Sequence, residues 1–271
     1  MSNNTHIIIG DAHARPDISS RRFTWLGQFI VDYHKTNPTE NITIIDMGDW
    51  EDMPSLSSYD KGTKSYEGRR YKRDLEAAWE ARERFVSPIL GYNNSQRRNK
   101  AKLFSPQMYA LGGNHFEGRI KRAIECSPLL DGTIGVADGR HAEYGWDYVP
   151  FKEPLTIDGI TYVHYWQANG TAQPIATGKY PGQVLLREKH CSTVVGHNHK
   201  LDIASSLAGD GRRMWGISAG CFLDPDQHED YAGQNNKDWW KGILIIKDVK
   251  AGEIDGGIHI IPSNRLKEKY E

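Results

Sequence analysis

Cysteine is scarce in this 271-residue chain: Cys126, Cys191 and Cys221 are odd in number and far apart. That spacing argues against a disulfide framework and for a reducing compartment, with each thiol read as a small buried side chain. Also missing is any apolar run near the ~20 residues that a membrane span requires. The start, Met1-Ser2-Asn3-Asn4-Thr5, has neither a basic nor an apolar signal region. We therefore expect a cytoplasmic protein with no membrane association. An excess of charge of one sign is absent as well: 34 Lys and Arg stand against 35 Asp and Glu, a net charge of -1. This excludes a globally basic nucleic-acid binder and leaves local basic segments to be judged one by one. There is no internal repeat and no low-complexity segment. The length suits one large α/β domain or two small ones, and one domain over 1–271 is the expectation.

What is present is a series of short apolar runs. The run from His6 to Ile9 reads as a buried strand that stops at Gly10-Asp11, and an amphipathic helix follows, with Phe23, Leu26, Ile30 and Tyr33 on one stripe. Ile42 to Met47 reads as a second buried strand ending at Gly48-Asp49, so the first unit is β-α-β. From Tyr71 onward, Leu75, Ala78, Trp79, the Arg82 stem, Phe85 and Val86 recur at helical spacing. Gly91 to Lys102 is polar and reads as an exposed loop, and Met108 to Leu111 as a third strand. The second half changes character. Leu155–Ile157, Tyr162–Tyr165, Thr193–Val195, Met214–Ser218, Gly242–Ile246 and His259–Ile261 read as strands with little helix between them, which predicts a second, mostly β layer facing the first sheet. The polar stretches 132–145 and 224–241 read as long loops.

Five of these runs end in metal-ligating side chains: Asp11-Ala12-His13, Gly48-Asp49-Trp50-Glu51-Asp52, Gly113-Asn114-His115, His164, and Gly196-His197-Asn198-His199. Two divalent ions held close together need a shared anionic bridge and separate terminal ligands. Asp11 with His13, and His197 with His199, are spaced so that each pair can reach one ion. Asp49 is the natural bridge, because a carboxylate can give one oxygen to each ion and a neutral imidazole cannot. Asn114, neutral and oxygen-bearing, suits a second ion. Taken singly, each piece is weak: Gly-Asp after a strand is usually a turn, and a lone histidine usually a satisfied core residue. Five in one order, all at strand ends, are a different matter.

In that order the motifs resemble those of the calcineurin-like metallophosphoesterase family, D-x-H, G-D-x-x-D, G-N-H-D/E, a lone H and G-H-x-H, over the span from Ile7 to His199. The resemblance implies a four-layer α/β/β/α sandwich with two facing mixed sheets. It implies Asp11, His13, Asp49 and His199 around one ion, and Asp49, Asn114, His164 and His197 around the other. His115 would act on the leaving oxygen, with Asp52 behind it. The reaction it implies is attack on phosphorus by a hydroxide held between two divalent ions, for which histidine and carboxylate ligands suit manganese, iron or zinc better than calcium, with magnesium also open.

Departures from the family pattern carry expectations of their own. Phe116 stands where the family has an acid, so Glu117 is a candidate to orient His115 in its place. Tyr165-Trp166 after His164 is expected to narrow the site mouth. Ala14, and Met53-Pro54 after Asp52, argue against the protein Ser/Thr phosphatase branch. Between the second and third motifs, Lys61, Lys64, Arg69, Arg70, Lys72 and Arg73 are interleaved with Tyr66 and Tyr71. Such a segment fits a phosphate track or, equally, a solvated lead-in to a helix; Arg69, Arg70 and Arg119 are the candidate substrate contacts. The pattern is similar to small bacterial and bacteriophage phosphoesterases, so the expected substrate is a phosphodiester of a nucleic acid or nucleotide. A small-metabolite phosphomonoester and a catalytically weak partner-binding role are the alternatives. No specific protein partner is expected.

Overall fold

The run Ile7-Ile8-Ile9 shows no polar alternation because both of its faces are covered. In the computed structural model, which describes residues 3–229, 233 and 237–271, it lies in β1 (Asn4–Ile9). Ile7 and Ile9 pack with Phe23, Leu26 and Ile30 of α1 (Arg21–Thr36) and with Phe85 of α2 (Tyr71–Arg98). Ile8 enters a second cluster with Ile45 of β2 (Asn41–Asp46) and Leu111 of β3 (Gln107–Leu111). With α3 (Arg119–Cys126) and β4 (Asp147–Val149), the first half follows an alternating course, and β1 to β4 pair in parallel.

The second sheet is built from β5 (Leu155–Ile157), β6 (Ile160–Val163), β7 (Thr193–Val195), β8 (Leu201–Leu207) and β9 (Arg213–Ala219), in the order β5-β6-β7-β9-β8. Its central strands are parallel and its two edges antiparallel. Tyr162, Val194 and Ile217 share the cluster of Ile8 and Ile45, so the two mixed sheets face each other across it. On the far side, Leu185 of α4 (Pro181–Lys189) packs on Val163 and Val195. The packing therefore runs helix, sheet, sheet, helix.

Two strands expected in the second layer belong to the first sheet. β10 (Gly242–Ile246) pairs antiparallel with β1, and β13 (Ile258–Pro262) with β10. Ile243 and Ile245 face the helices while Leu244 and Ile246 face the second sheet, a pattern that reports burial on both faces but not which sheet is joined. Between them lies a small hairpin of β11 (Val249–Lys250) and β12 (Glu253–Ile254). Helix is also commoner in the second half than expected, with α4 and a final α5 (Ser263–Tyr270) whose Leu266 joins the first core. The loop read from Gly91 is instead the end of α2, where the Asn93 side chain bonds both the N–H and the carbonyl of Phe104 at 2.8 and 2.7 Å. Residues 132–145 form short single-turn helices, and part of the expected 224–241 loop lies outside the described residues.

This topology decides where the motifs go. β1, β2 and β3 are parallel neighbours, as are β6 and β7 in the facing sheet, so all five motif loops leave the carboxyl ends of parallel strands. Beneath them, Arg82 of α2 is fully buried, its guanidinium 4.8 Å from the Trp50 ring and 5.4 Å from the Trp146 ring. It donates to Glu51 Oε1 from Nε and Nη2, at 3.1 and 2.7 Å, and lies 3.5 Å from Asp46. Burial would raise the pKa of Glu51, but Arg82 and then His141 outweigh it and bring it down to about 2. Asp46 goes the other way: burial, opposed by Arg82 and reinforced by Glu51, pushes it up to about 7.

Because the folded pKa of Glu51 is depressed, its contribution to stability is complete above the ordinary value of 4.5 and is lost as pH falls toward about 2. Arg82→Met should lower the unfolding free energy by about 3–5 kcal/mol at neutral pH, by stranding a buried charge. In urea melts that deficit should narrow as the pH falls from 4.5, where Glu51 of the unfolded chain takes up a proton, toward about 2, where folded wild-type Glu51 does so too. A deficit independent of pH would show that packing between the two tryptophans, rather than charge, is what Arg82 contributes.

Candidate metal centre and adjoining cavity

The five loops bring their ligand-type atoms together. Asp11, His13 and His199 form one group and Asp49, His164 and His197 another, the ligand atoms of each lying within 4.8 Å of one another. Asp49 also groups with His13 and His115, which places its carboxylate between the two halves. His13 Nε2 is 3.1 Å from His199 Nε2, and His199 Nε2 is 3.1 Å from Asp11 Oδ2. On the other side, His164 Nε2 lies 3.2 Å from Asp49 Oδ2 and 2.8 Å from Asn114 Oδ1. Donors bound about 2 Å from a common ion stand about 3 Å apart, so nitrogen and oxygen atoms at these separations fit divalent cations. All seven candidate ligands, Asp11, His13, Asp49, Asn114, His164, His197 and His199, are thus brought to one place.

The backbone is strained to achieve this. His13, Asp49, His197 and His199 have φ of 44°, 53°, 68° and 59°, a left-handed region that L-residues with side chains enter at a cost of order 1–3 kcal/mol each. Such a conformation turns the chain sharply off its strand and aims successive side chains into the gap between the sheets. Glycine fits where the ligands crowd: a Cβ on Gly113 would come within 1.9 Å of Asp49 Oδ1, and one on Gly196 within 2.4 Å of Asp11 Oδ1. Buried behind the first loop, Arg22 donates to the carbonyls of Ala12, Ser19 and Phe222 at 2.6, 2.8 and 3.2 Å, pinning the residue between Asp11 and His13. No sequence motif marks that role, because its acceptors are backbone carbonyls, one of them two hundred residues away.

The electrostatics follow from how closely these groups are packed, and they divide the histidines: His13 and His197 are ready as ligands, whereas His164 must first lose a proton. Burial works against ionised Asp49, yet the histidines around it, His164 first, hold its pKa far below the usual range. Burial likewise opposes protonated His164, but Asp49 and Asp11 raise its pKa to about 9, so its imidazolium supplies cationic charge between them. Its Nδ1 bonds the Met47 carbonyl at 2.9 Å, which leaves Nε2 facing the carboxylates. Burial and then His164 lower His197 to about 4, and burial and then His115 lower His13, so both are neutral at ordinary pH, as ligands must be.

The acid that His115 meets is Asp52, which the resemblance put behind it, and not the candidate Glu117. Asp52 Oδ1 lies 2.6 Å from His115 Nδ1 and 3.2 Å from His13 Nδ1, and Asp52 Oδ2 accepts from Arg15 at 3.0 Å. Burial opposes the charge on Asp52, but bonds to His115 and His13 hold its pKa well below the ordinary range. Glu117 faces elsewhere. Its carboxylate accepts from the Tyr148 hydroxyl and the Phe151 N–H, both at 2.7 Å, and pairs with Lys121 at 2.5 Å. The cause is a single wide turn over Asn114–Gly118, closed by Gly118 N–H on the Gly113 carbonyl at 3.1 Å, which turns Phe116 into a core cluster. Tyr165 packs on His197, ring centroids 4.7 Å apart, and Trp239 covers His199 at 4.2 Å, while Trp166 turns away and donates to Thr193 Oγ1 at 3.1 Å.

Beside His115 and Asp52 opens a cavity of about 790 Å³, bordered by Arg69, Arg70 and Arg119. Their location is as expected, but two of the three are engaged. Arg119 donates to the carbonyls of Asp52 and Met53, supporting the loop that carries Asp52. Arg69 is held by the Pro54 carbonyl at 3.0 Å and by Asp60 at 2.6 Å. Tyr66 and Tyr71 are tied down by their hydroxyls, which donate to the Ser55 carbonyl and to Asp138, both at 2.7 Å. Arg15, which bridges Asp52 and Glu229 at 3.0 and 2.9 Å, carries no motif signal because its partners come from remote segments.

No protein-family model matches this chain, and no curated protein matches it. Among the described residues no helix is long and apolar enough to cross a membrane. The site must therefore be judged by its own geometry. Gly113→Ala should displace Asp49 and lower divalent-metal affinity at least about tenfold, measured by calorimetry, while the far-UV circular dichroism is retained. Unchanged affinity would mean that Asp49 is not held against Gly113 as described.

Proposed function

We propose that the chain is a dinuclear metal-dependent phosphoesterase acting on a phosphodiester of a nucleic acid or nucleotide. The observation that carries this reading is the convergence of seven ligand-type side chains from five strand ends on one strained, buried point, with Asp49 between the two groups. The resemblance of the motif order to the calcineurin-like metallophosphoesterases supports it. Two divalent cations there would supply charge neutralisation at a phosphoryl group and a ready source of hydroxide.

The chain's own residues do the rest. Asp49 and Asp11 set up the negative field that draws cations in, and neutral His13 and His197 offer lone pairs to them. Asp52 occupies Nδ1 of His115, so Nε2 is the nitrogen that can give a proton to a departing oxygen in the cavity. Arg15 on Oδ2 and Arg119 near Oδ1 hold the Asp52 carboxylate in place. The five-loop arrangement also keeps the donors rigid, since each loop starts from a paired strand.

Purified protein supplied with Mn²⁺ should hydrolyse an aryl phosphodiester, and Asp49→Asn should abolish most of that turnover. His115→Ala should slow hydrolysis by roughly 10²- to 10⁴-fold for poor leaving groups, the usual range for a positioned acid, and by much less for good ones. Equal losses for both kinds of leaving group would remove His115 from the proton transfer. Absence of hydrolysis in the wild-type protein with every divalent metal tried would sink the phosphoesterase reading.

A further inference from the structure

The cavity beside His115 is larger than departure of a simple alcohol requires; at about 790 Å³ it is in the range of sites that enclose whole small molecules. Its position gives it a direction. Because it begins at His115 and Asp52, it receives the part of the substrate that carries the leaving oxygen, a step that rests on the reading of the site above. Its lining then states what that part should be.

Three of its arginines already have strong partners: Arg15 on Asp52 and Glu229, Arg119 on the Asp52 and Met53 carbonyls, and Arg69 on Asp60. Two are differently placed. Arg70 is exposed and, among the described residues, has no carboxylate partner; its Nη1 donates only to the Arg69 carbonyl. Arg73 is 3.9 Å from Asp17, whose side chain is 88 % exposed, a pairing worth little in water and readily given up to a phosphate. Both project at the start of α2, at the rim of the cavity.

The same cavity is lined by Tyr59, 93 % exposed and stacked on no other ring among the described residues. An exposed aromatic beside unclaimed guanidinium groups offers a base a face to stack on and its phosphate a pair of donors. The exposed carboxylates of Asp17 and Glu67 also border the space, which disfavours a long polyanion running through it. A continuous phosphate track, one of the expectations from the basic sequence here, is thus replaced by a compact subsite.

We propose that this cavity binds the nucleotide on the leaving side of an internucleotide phosphodiester, with Tyr59 stacking on its base and Arg70 and Arg73 holding its far phosphate. The substrate is then a short or single-stranded nucleic-acid segment rather than a phosphomonoester of a small metabolite. Few counterions are displaced, so the affinity depends only shallowly on salt, with a logarithmic slope of about -0.7 to -1.4 for one or two phosphate contacts.

The test uses a labelled oligothymidylate in two arms. In EDTA, fluorescence anisotropy should show wild-type binding with that shallow slope, weakened about tenfold in Tyr59→Ala and in the Arg70→Ala, Arg73→Ala double variant. With Mn²⁺, the ratio of kcat/KM for the oligonucleotide to that for bis-nitrophenyl phosphate should fall by a similar factor in both variants. All three side chains are exposed, so folding should be preserved. Failure of the wild type to bind, unchanged affinity in both variants, or parallel loss on both substrates would overturn the subsite. If the wild type binds but hydrolyses neither phosphoester, the phosphoesterase reading fails, and the EDTA arm still decides whether the cavity binds a nucleotide.

Discussion

Asp11 and Asp49 are carboxylates buried where two sheets meet, and ions so placed persist only beside compensating positive charge. Much of the surrounding structure answers that constraint. His164 lies between them, its pKa raised to about 9 by their field after burial has pulled the other way. His13 and His199 close the first group and His197 the second, and four of the ligand positions accept left-handed backbone to do so. A protein would gain stability by relaxing these loops. Their strain is intelligible if the converging lone pairs serve a cation.

Behind the ligands lies a second tier of charge that keeps the loops in register. Arg82, enclosed by Trp50 and Trp146, fixes Glu51 two residues past Asp49, while Arg22 fixes the Ala12 carbonyl between Asp11 and His13. Arg15 ties Asp52 to Glu229, linking the loop after β2 to the segment between β9 and β10. Each of these arginines acts on a loop that carries site residues. Sequence, local structure and chemistry are joined here by buried guanidinium groups rather than by the ligands alone.

The clustering of these side chains was legible in the sequence because it is written locally: short spacings such as Asp11-Ala12-His13 and His197-Asn198-His199 place side chains from one turn, and the apolar runs before them mark strand ends. The two-sheet architecture followed from the same runs. What was not legible depends on distance. β10 joins the first sheet although it follows the second in the chain, and hydrophobicity on both faces says nothing of neighbours. Glu117 looked like a substitute acid, but the wide turn at Asn114–Gly118 turns it toward Tyr148, and the carboxylate that reaches His115 is Asp52, which the resemblance had put behind it. The basic segment was visible, but which of its arginines were already engaged was not, since Asp60 and the Pro54 carbonyl meet Arg69 only once the loop is closed.

The central claim, that the buried carboxylates and imidazoles form one dinuclear centre, is tested most directly by titrating metal-stripped protein with Mn²⁺ in a calorimeter and counting bound metal by elemental analysis. The account predicts two ions per chain, with proton release as His164 gives up its proton to become a ligand. One ion or none at saturation, in protein that remains folded, would contradict it.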